Sequence, residues 1–160
     1  MISNRKFVTR GLAGLAVAAS FALAGCGGGG SSAAGEPVTT DTLVGTWEFQ
    51  EGKGPSGDLK PLDQPIELVV TEDGAFSTSV GCNQMFTQVE VGDAGKITLG
   101  PLAMTQMACE EDLMTLEQNF AGALEKVSEG KLDGDKLVLT GDETELSFKA
   151  ATGSSDQSGE

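Results

Sequence analysis

The chain has 160 residues, the length of one domain with short extensions. Its 24 acidic residues outnumber its 10 basic ones, and the formal net charge of −14 excludes a nucleic-acid binder, which needs a basic surface. The sequence has no histidine, which excludes Ser-His-Asp triads, Cys-His pairs and imidazole metal ligands. We therefore predict that the protein is not an enzyme and has no catalytic residues, no metal ligands and no cofactor.

Residues 1–25 have the pattern of an export signal. Basic residues open the segment, and residues 11–24 form an apolar stretch that is too short to span a bilayer but typical of a signal peptide. The stretch ends in Leu23-Ala24-Gly25-Cys26. This ending resembles the bacterial lipobox, in which the cysteine thiol is acylated and becomes the first residue of the mature chain. The resemblance implies a lipoprotein with fatty acyl chains such as palmitate at Cys26.

The charge of the mature chain bears on its location. Loss of the leader removes three positive charges and no negative charge, which changes the formal net charge from −14 to −17. Anionic lipid headgroups repel such a chain, so we expect the lipid alone to hold it at the membrane. We predict a cell-envelope location, on the outer face of the cytoplasmic membrane or at the outer membrane.

The composition divides the rest of the chain into three parts. Residues 26–40 consist of the acylated cysteine and a segment rich in Gly, Ser and Ala, which is predicted to form a flexible linker with a mean span of about 20 Å. Residues 41–150 hold the apolar residues of a single folded body. Residues 151–160 are small and polar, which predicts a disordered tail.

Short apolar alternations separated by Gly, Pro and Asp predict β-strands in the body. The predicted strands are Leu43–Gln50, Ile66–Val70, Ala75–Val80, Phe86–Val91, Lys96–Leu99, Leu137–Thr140 and Glu145–Lys149. The turn Glu72-Asp73-Gly74 is predicted to join the second and third of these strands as a hairpin. The turn Gly92-Asp93-Ala94-Gly95 is predicted to join the fourth and fifth in the same way. Leu137–Thr140 and Glu145–Lys149 form a third predicted hairpin. Alternation places Trp47 and Phe49 on one face, and it places these residues of the third hairpin on its buried face: Leu137, Leu139, Leu146 and Phe148.

One segment has the period of a helix instead. Over residues 110–127 the apolar positions recur every three or four residues, which predicts one amphipathic helix whose apolar stripe packs on the sheet. The stripe consists of Leu113, Leu116, Phe120, Leu124 and Val127. The predicted fold class is α+β, mainly β: a compact antiparallel sheet or barrel-like domain with one packed amphipathic helix.

Two cysteines remain beside Cys26. Because an exported protein meets an oxidising compartment, we predict a disulfide between Cys82 and Cys109. The bond would close a loop of about 28 residues, which stabilises a domain by about 3 to 4 kcal/mol in the chain-entropy model. Two separately buried thiols are the alternative, and a redox couple of the same cysteines is the best enzymatic alternative.

The sequences around these cysteines resemble the META domain family, which includes the HslJ heat-shock lipoproteins. Gly81–Phe86 is similar to the Gly-Cys-Asn-x-Phe element of that family, and Met104–Cys109 is similar to its Met-x-Thr-x-Met-x-Cys element. The matching residues are Gly81, Cys82, Asn83, Phe86, Met104, Thr105, Met107 and Cys109. The resemblance implies a compact β-rich fold with one helix, an envelope location and an association with stress or drug tolerance, and it implies no catalytic residues.

Several residues suggest other chemistry. The sulfur atoms of Met85, Met104 and Met107, with those of Cys82 and Cys109, are soft donors that suit Cu(I), but methionine is also a common core filler, and we predict core packing. The acidic pairs Glu110-Glu111, Asp133 with Asp135, and Asp142-Glu143 are predicted to be solvated turns and a helix start rather than calcium or catalytic sites.

These observations lead to a functional hypothesis with one main alternative. We expect a lipid-anchored, non-enzymatic envelope protein that binds or supports an unknown envelope protein or a small ligand, and no nucleic acid. The alternative is a lipocalin-like carrier of a small apolar ligand, because Gly45-x-Trp47 is similar to the opening of lipocalins. Trp47 would then form a cavity floor, whereas we predict that it is a core residue.

Overall fold

The computed structural model describes residues 35–151. Within this range the strands are β1 (Glu36–Pro37), β2 (Gly45–Gly54), β3 (Gly57–Leu59), β4 (Glu67–Val70), β5 (Ala75–Val80), β6 (Asn83–Val91), β7 (Ile97–Leu99), β8 (Ala103–Met104), β9 (Val127–Asp133), β10 (Lys136–Gly141) and β11 (Thr144–Ala150). The helices are α1 (Thr40–Leu43) and α2 (Glu111–Leu124), and a 3₁₀ turn spans Asp93–Gly95. The predicted leader, Cys26 and the residues after Ala151 lie outside the described residues.

The strands form one antiparallel sheet. Its order is β1-β9-β10-β11-β2-β4-β5-β6-β7, with β3 paired to β2 and β8 paired to β6. The sheet is not closed, although a bridge between Lys96 and Glu129 brings the start of β7 beside β9. The predicted class, mainly β with one packed amphipathic helix, is confirmed. None of the helices in residues 35–151 has the length and apolarity needed to cross a bilayer.

Helix α2 covers the buried face of the sheet. The ring of Phe120 meets that of Phe49 edge-on with 5.1 Å between centroids, and Phe49 meets Phe148 at 5.4 Å. Leu116, Phe120 and Leu124 of the predicted stripe are all buried. The alternating residues of the last hairpin are buried as predicted: Leu137, Leu139, Leu146 and Phe148. Apolar periodicity therefore assigned these core residues correctly, although Leu113 of the predicted stripe is only half-buried.

Trp47 belongs to this core. Its side chain is 6% exposed, and its indole N–H donates a hydrogen bond to the carbonyl oxygen of Leu43 at 2.9 Å. A buried indole needs a partner for its N–H, and a backbone carbonyl supplies it here. Trp47 thus has the environment predicted for a core residue.

The predicted hairpin turns are present. Gly74 follows Glu72 and Asp73 with φ +78°, a conformation that glycine adopts without strain, and a Cβ there would lie 2.8 Å from the carbonyl oxygen of Val89. The hydroxyl of Thr71 donates a hydrogen bond to the carboxylate of Asp73 and lowers the pKa of Asp73 from its ordinary value. The turn is therefore held by side-chain as well as backbone bonds.

The body begins earlier than composition predicts. The predicted linker extends to residue 40, but Glu36–Pro37 pairs with β9 and Val38 is 1% exposed. The N–H of Val38 donates to the carbonyl oxygen of Gly130 at 3.0 Å, and a Cβ on Gly130 would lie 2.8 Å from the Val38 side chain. The absence of a side chain at Gly130 lets the incoming segment lie against the sheet, so residues 36–40 belong to the folded body.

Two element boundaries also differ from the prediction. Leu43 ends α1 rather than starting a strand, because Thr39 and Thr42 form a capping box that begins a short helix. Helix α2 ends at Leu124, and Val127 starts β9. Most residues of β9 are polar or glycine, so its sequence lacks the apolar alternation that predicts a strand.

Candidate functional site

The residues of the two sequence elements meet at one end of the sheet. Gly81 and Cys82 form the turn between β5 and β6, and Asn83 starts β6. A loop from Thr105 to Glu110 joins β8 to α2. A disulfide joins Cys82 to Cys109, with 6.5 Å between the Cα atoms, within the usual range. The turn, the loop and the start of the helix thus come together around this bond.

Asn83 links the turn to the loop. Its side chain is 3% exposed, and its carbonyl oxygen accepts hydrogen bonds from the Met107 N–H at 2.8 Å and the Thr105 hydroxyl at 2.9 Å. Its amide nitrogen donates to the Met107 carbonyl oxygen at 3.1 Å and to a Glu117 carboxylate oxygen at 2.8 Å. These four bonds use both donors and both acceptor positions of the amide. The loop is therefore fixed to the start of β6 at both backbone polar groups of Met107.

Glu117 fixes the turn to helix α2. Its side chain is 3% exposed, and one carboxylate oxygen accepts the backbone N–H groups of Cys82 and Asn83, each at 3.0 Å. The other oxygen accepts the hydrogen bond from the Asn83 side chain. A buried carboxyl group is strongly unfavourable without such partners. The three donors make this buried carboxylate a structural connector between the helix and the sheet.

Glycine is required at the turn beside this carboxylate. Gly81 has φ +63°, and a Cβ added there would lie 2.9 Å from a Glu117 carboxylate oxygen and 3.2 Å from Leu113. Both the conformation and the space favour glycine. Thus the glycine and the asparagine of the first element both serve the contact with α2.

Thr105 extends the pairing of β8 with β6. Its N–H donates to the Gln84 carbonyl oxygen at 3.0 Å, and its hydroxyl oxygen accepts the Gln84 N–H at 3.0 Å while donating to Asn83. Thr105 and Gln84 therefore hold the start of the loop against β6, at the point where β8 ends.

The prediction that the methionines are core residues is right for one of them and wrong for two. Met85 is 0% exposed, but Met104 is 38% exposed and Met107 is 56% exposed. Met114 of α2 is 38% exposed on the same side. These three side chains line a groove of about 390 Å³ that also contains Gln106 and Gln118. We call it the methionine groove.

The floor of the methionine groove contains the buried polar groups described above. Asn83 and Glu117 both line it. Their polar atoms already hold hydrogen bonds within the protein. The residues that remain free to meet a ligand are therefore the exposed methionines and glutamines.

Phe86 is the remaining aromatic residue of the first sequence element. It is 43% exposed, and in the alternation of β6 it lies on the opposite face from Met85. It lines a smaller depression of about 190 Å³ with residues of β4 and β5. Phe86 therefore does not belong to the methionine groove.

The cysteines and Glu117 also form a cluster with ligand-type atoms. Both sulfur atoms and a carboxylate oxygen lie within 4.8 Å of one another. A metal-binding cysteine acts as a thiolate, and the bond between the two sulfur atoms removes both thiolates. This cluster is a disulfide site in the oxidised protein. The acidic pairs are exposed, as predicted: Glu110-Glu111, Asp133 with Asp135, and Asp142-Glu143.

Sequence reasoning did not identify Glu117 as a site residue. A signal exists, because Glu117 follows Leu113 by four residues and precedes Phe120 by three, which places a carboxyl group on the buried stripe. Sequence reasoning also missed Met114 as a neighbour of Met104 and Met107 in the groove, because the groove depends on how the loop after β8 folds over the helix.

The comparisons with known proteins agree with this architecture. A family model for the META domain matches residues 41–153, and the chain belongs to the META domain family. An NMR structure of a protein from Burkholderia xenovorans has a TM-score of 0.59 and 21% identity, with 78% of this chain and 96% of that chain covered. A second NMR structure has a TM-score of 0.54 and 23% identity, with coverage of 71% and 95%. At these identities the likeness establishes the fold alone. A comparison with curated proteins found no match.

We predict that Glu117→Ala destabilises the protein strongly. Three N–H groups lose their acceptor, and each unpaired buried group costs about 1 kcal/mol or more, so the free energy of unfolding should fall by about 3 kcal/mol. Urea unfolding measures this change. Gln118→Ala, at the exposed neighbouring position, is the control and should change stability by less than about 0.5 kcal/mol. Equal effects of the two substitutions would contradict the role assigned to Glu117.

Proposed function

We propose that the protein is a lipid-anchored lipoprotein of the bacterial cell envelope whose META domain acts by binding and not by catalysis. The lipobox-like sequence ending at Cys26 supports the anchor. The disulfide between Cys82 and Cys109 supports an exported location, because disulfides persist in oxidising compartments. The formal charge of −17 after loss of the leader favours attachment through the lipid and disfavours contact of the body with anionic headgroups.

The observation that carries the binding role is the arrangement of the methionine groove. Glu117, the residue there with acid-base potential, is buried and accepts hydrogen bonds from the protein itself, and the buried amide of Asn83 is one of its donors. The exposed groups are thioethers, which are polarisable, adapt in shape and recur at binding surfaces. A rigid loop with adaptable apolar side chains suits recognition of a partner. We propose an envelope protein or small ligand as that partner, in a role linked to envelope stress or drug tolerance.

The anchor is tested by the substitution Cys26→Ala. We expect the wild-type protein to incorporate an alkyne-labelled palmitate and to enter the detergent phase on Triton X-114 partition, and we expect the variant to do neither, because it lacks the thiol that forms the thioether. The double variant Cys82→Ala/Cys109→Ala is the matched control and should keep its label. A labelled Cys26→Ala variant, or an unlabelled wild-type protein, would contradict the anchor.

The binding role is tested by photo-crosslinking in living cells. A photoreactive side chain at the exposed position Gln106 in the methionine groove should yield a discrete product, and one at exposed Asp142 on the β10–β11 turn should not. The product should disappear when Met107 is replaced by Asp, because a charge disfavours apolar contact there. Uncrosslinked monomer at both positions would contradict a protein partner and favour a small ligand.

A second function, carriage of a small apolar ligand, is favoured by a separate cavity. A cavity of about 530 Å³ lies between β7, the loop after it and the end of α2. Its size is within the range of small-molecule sites. The apolar residues that line it are Ile97, Leu99, Leu102, Leu124 and Val127.

Apolar ligand carriage predicts that an environment-sensitive apolar dye gains fluorescence on addition of the protein and is displaced by fatty acids. Leu99→Trp should abolish this signal by filling the cavity, and the exposed substitution Thr115→Trp on α2 should preserve it. A signal equal in the two variants, or no signal from the wild-type protein, would speak against carriage.

A further inference from the structure

Methionine is distributed unevenly in the folded body. Four of the five methionines of the chain lie within the described residues, at positions 85, 104, 107 and 114. Met85 is completely buried, and the other three are all exposed and line one groove. Packing in the core explains Met85 but does not explain why three exposed thioethers line one groove. Their shared location suits a site that uses sulfur.

The backbone around these side chains is fixed. Met104 ends β8 and pairs with Met85 of β6, and Met107 is held by Asn83 at both its N–H and its carbonyl oxygen. Met114 is carried by α2, which Glu117 binds to the turn before β6. Three sulfur atoms thus come from three connected elements, while their flexible side chains retain the freedom to converge on one ligand.

The chemistry of these groups selects the class of ligand. Thioethers are soft, neutral donors that favour Cu(I) over hard cations such as Mg²⁺ or Ca²⁺, which prefer oxygen. The carboxyl group of Glu117 at the floor and the formal charge of −17 on the mature chain favour a cation over an anion. The cysteines are joined in the disulfide, so the thioethers are the sulfur donors available in the oxidised protein.

We infer that Met104, Met107 and Met114 form a binding site for one soft monovalent cation of the Cu(I) class. The inference deepens the proposed binding role, since it rests on the methionine groove as the working surface and names a ligand for it. It replaces the prediction of a chain without metal ligands. Lipid attachment at Cys26 is not required for the site, so the two can be tested separately.

The test uses Ag(I), which has the charge and filled d shell of Cu(I) and needs no reductant that would attack the disulfide. The protein is the mature chain, residues 26–160, with Cys26→Ser, which removes the remaining thiol. Its methionine methyl groups are labelled with ¹³C. In chloride-free buffer we expect the methyl signals of Met104, Met107 and Met114 to shift together and to saturate at one equivalent of Ag(I). The signal of buried Met85 should stay in place and serves as the internal control.

Variants establish which sulfur atoms bind. Met104→Leu, Met107→Leu and Met114→Leu keep an apolar side chain of similar volume, and each should weaken Ag(I) binding by roughly tenfold or more in a competition titration. Met85→Leu is the matched control and should leave the affinity unchanged. Methyl spectra of each variant show that it is folded.

Two results would overturn the metal site. One is the absence of methyl shifts at one equivalent of Ag(I), and the other is unchanged Ag(I) affinity in the triple leucine variant. Neither result touches the anchor, which the palmitate label tests, or a protein partner, which crosslinking at Gln106 tests. Failure of the metal site with a crosslinked product at Gln106 would leave the methionine groove as a surface for an apolar partner.

Discussion

The buried carboxylate of Glu117 connects the elements on which the site depends. It receives two backbone N–H groups from the turn before β6 and one from the Asn83 side chain, and Asn83 in turn holds both backbone polar groups of Met107. Because buried polar groups need partners, none of these positions is independent of the others. Helix, turn and loop must assemble together, and the position of Met107 in the loop follows from that assembly.

The disulfide acts on the same region by a different mechanism. The bond between Cys82 and Cys109 restricts the unfolded chain, whereas the hydrogen bonds of Asn83 and Glu117 specify where the loop lies in the folded one. Covalent restriction alone would leave the loop free to move around the bond. The combination gives a fixed backbone with adaptable thioether side chains, which is the arrangement that a binding surface requires.

Much of the fold could be predicted from the sequence, because its core follows simple periods. Alternation identified Trp47 and Phe49, and the helical stripe identified Phe120. Short edge strands such as β8 and a polar strand such as β9 have no such period and depend on their neighbours. The site was harder to predict. The cysteine pair and Asn83 stood out as motif residues, and the helical period places Glu117 on the buried stripe without identifying its partners. The exposure of Met107 is set by tertiary contacts that local sequence does not encode.

Amide hydrogen exchange of the oxidised wild-type protein tests the central claim most directly. If Glu117 and Asn83 join the helix, turn and loop into one unit, the amides of Asn83 and Met107 should exchange only through an opening whose free energy approaches that of global unfolding. The exposed Gln106 amide in the same loop supplies the comparison and should exchange much faster. Exchange of the Met107 amide as fast as that of Gln106 would contradict the account, because the loop would then open independently of the helix and the sheet.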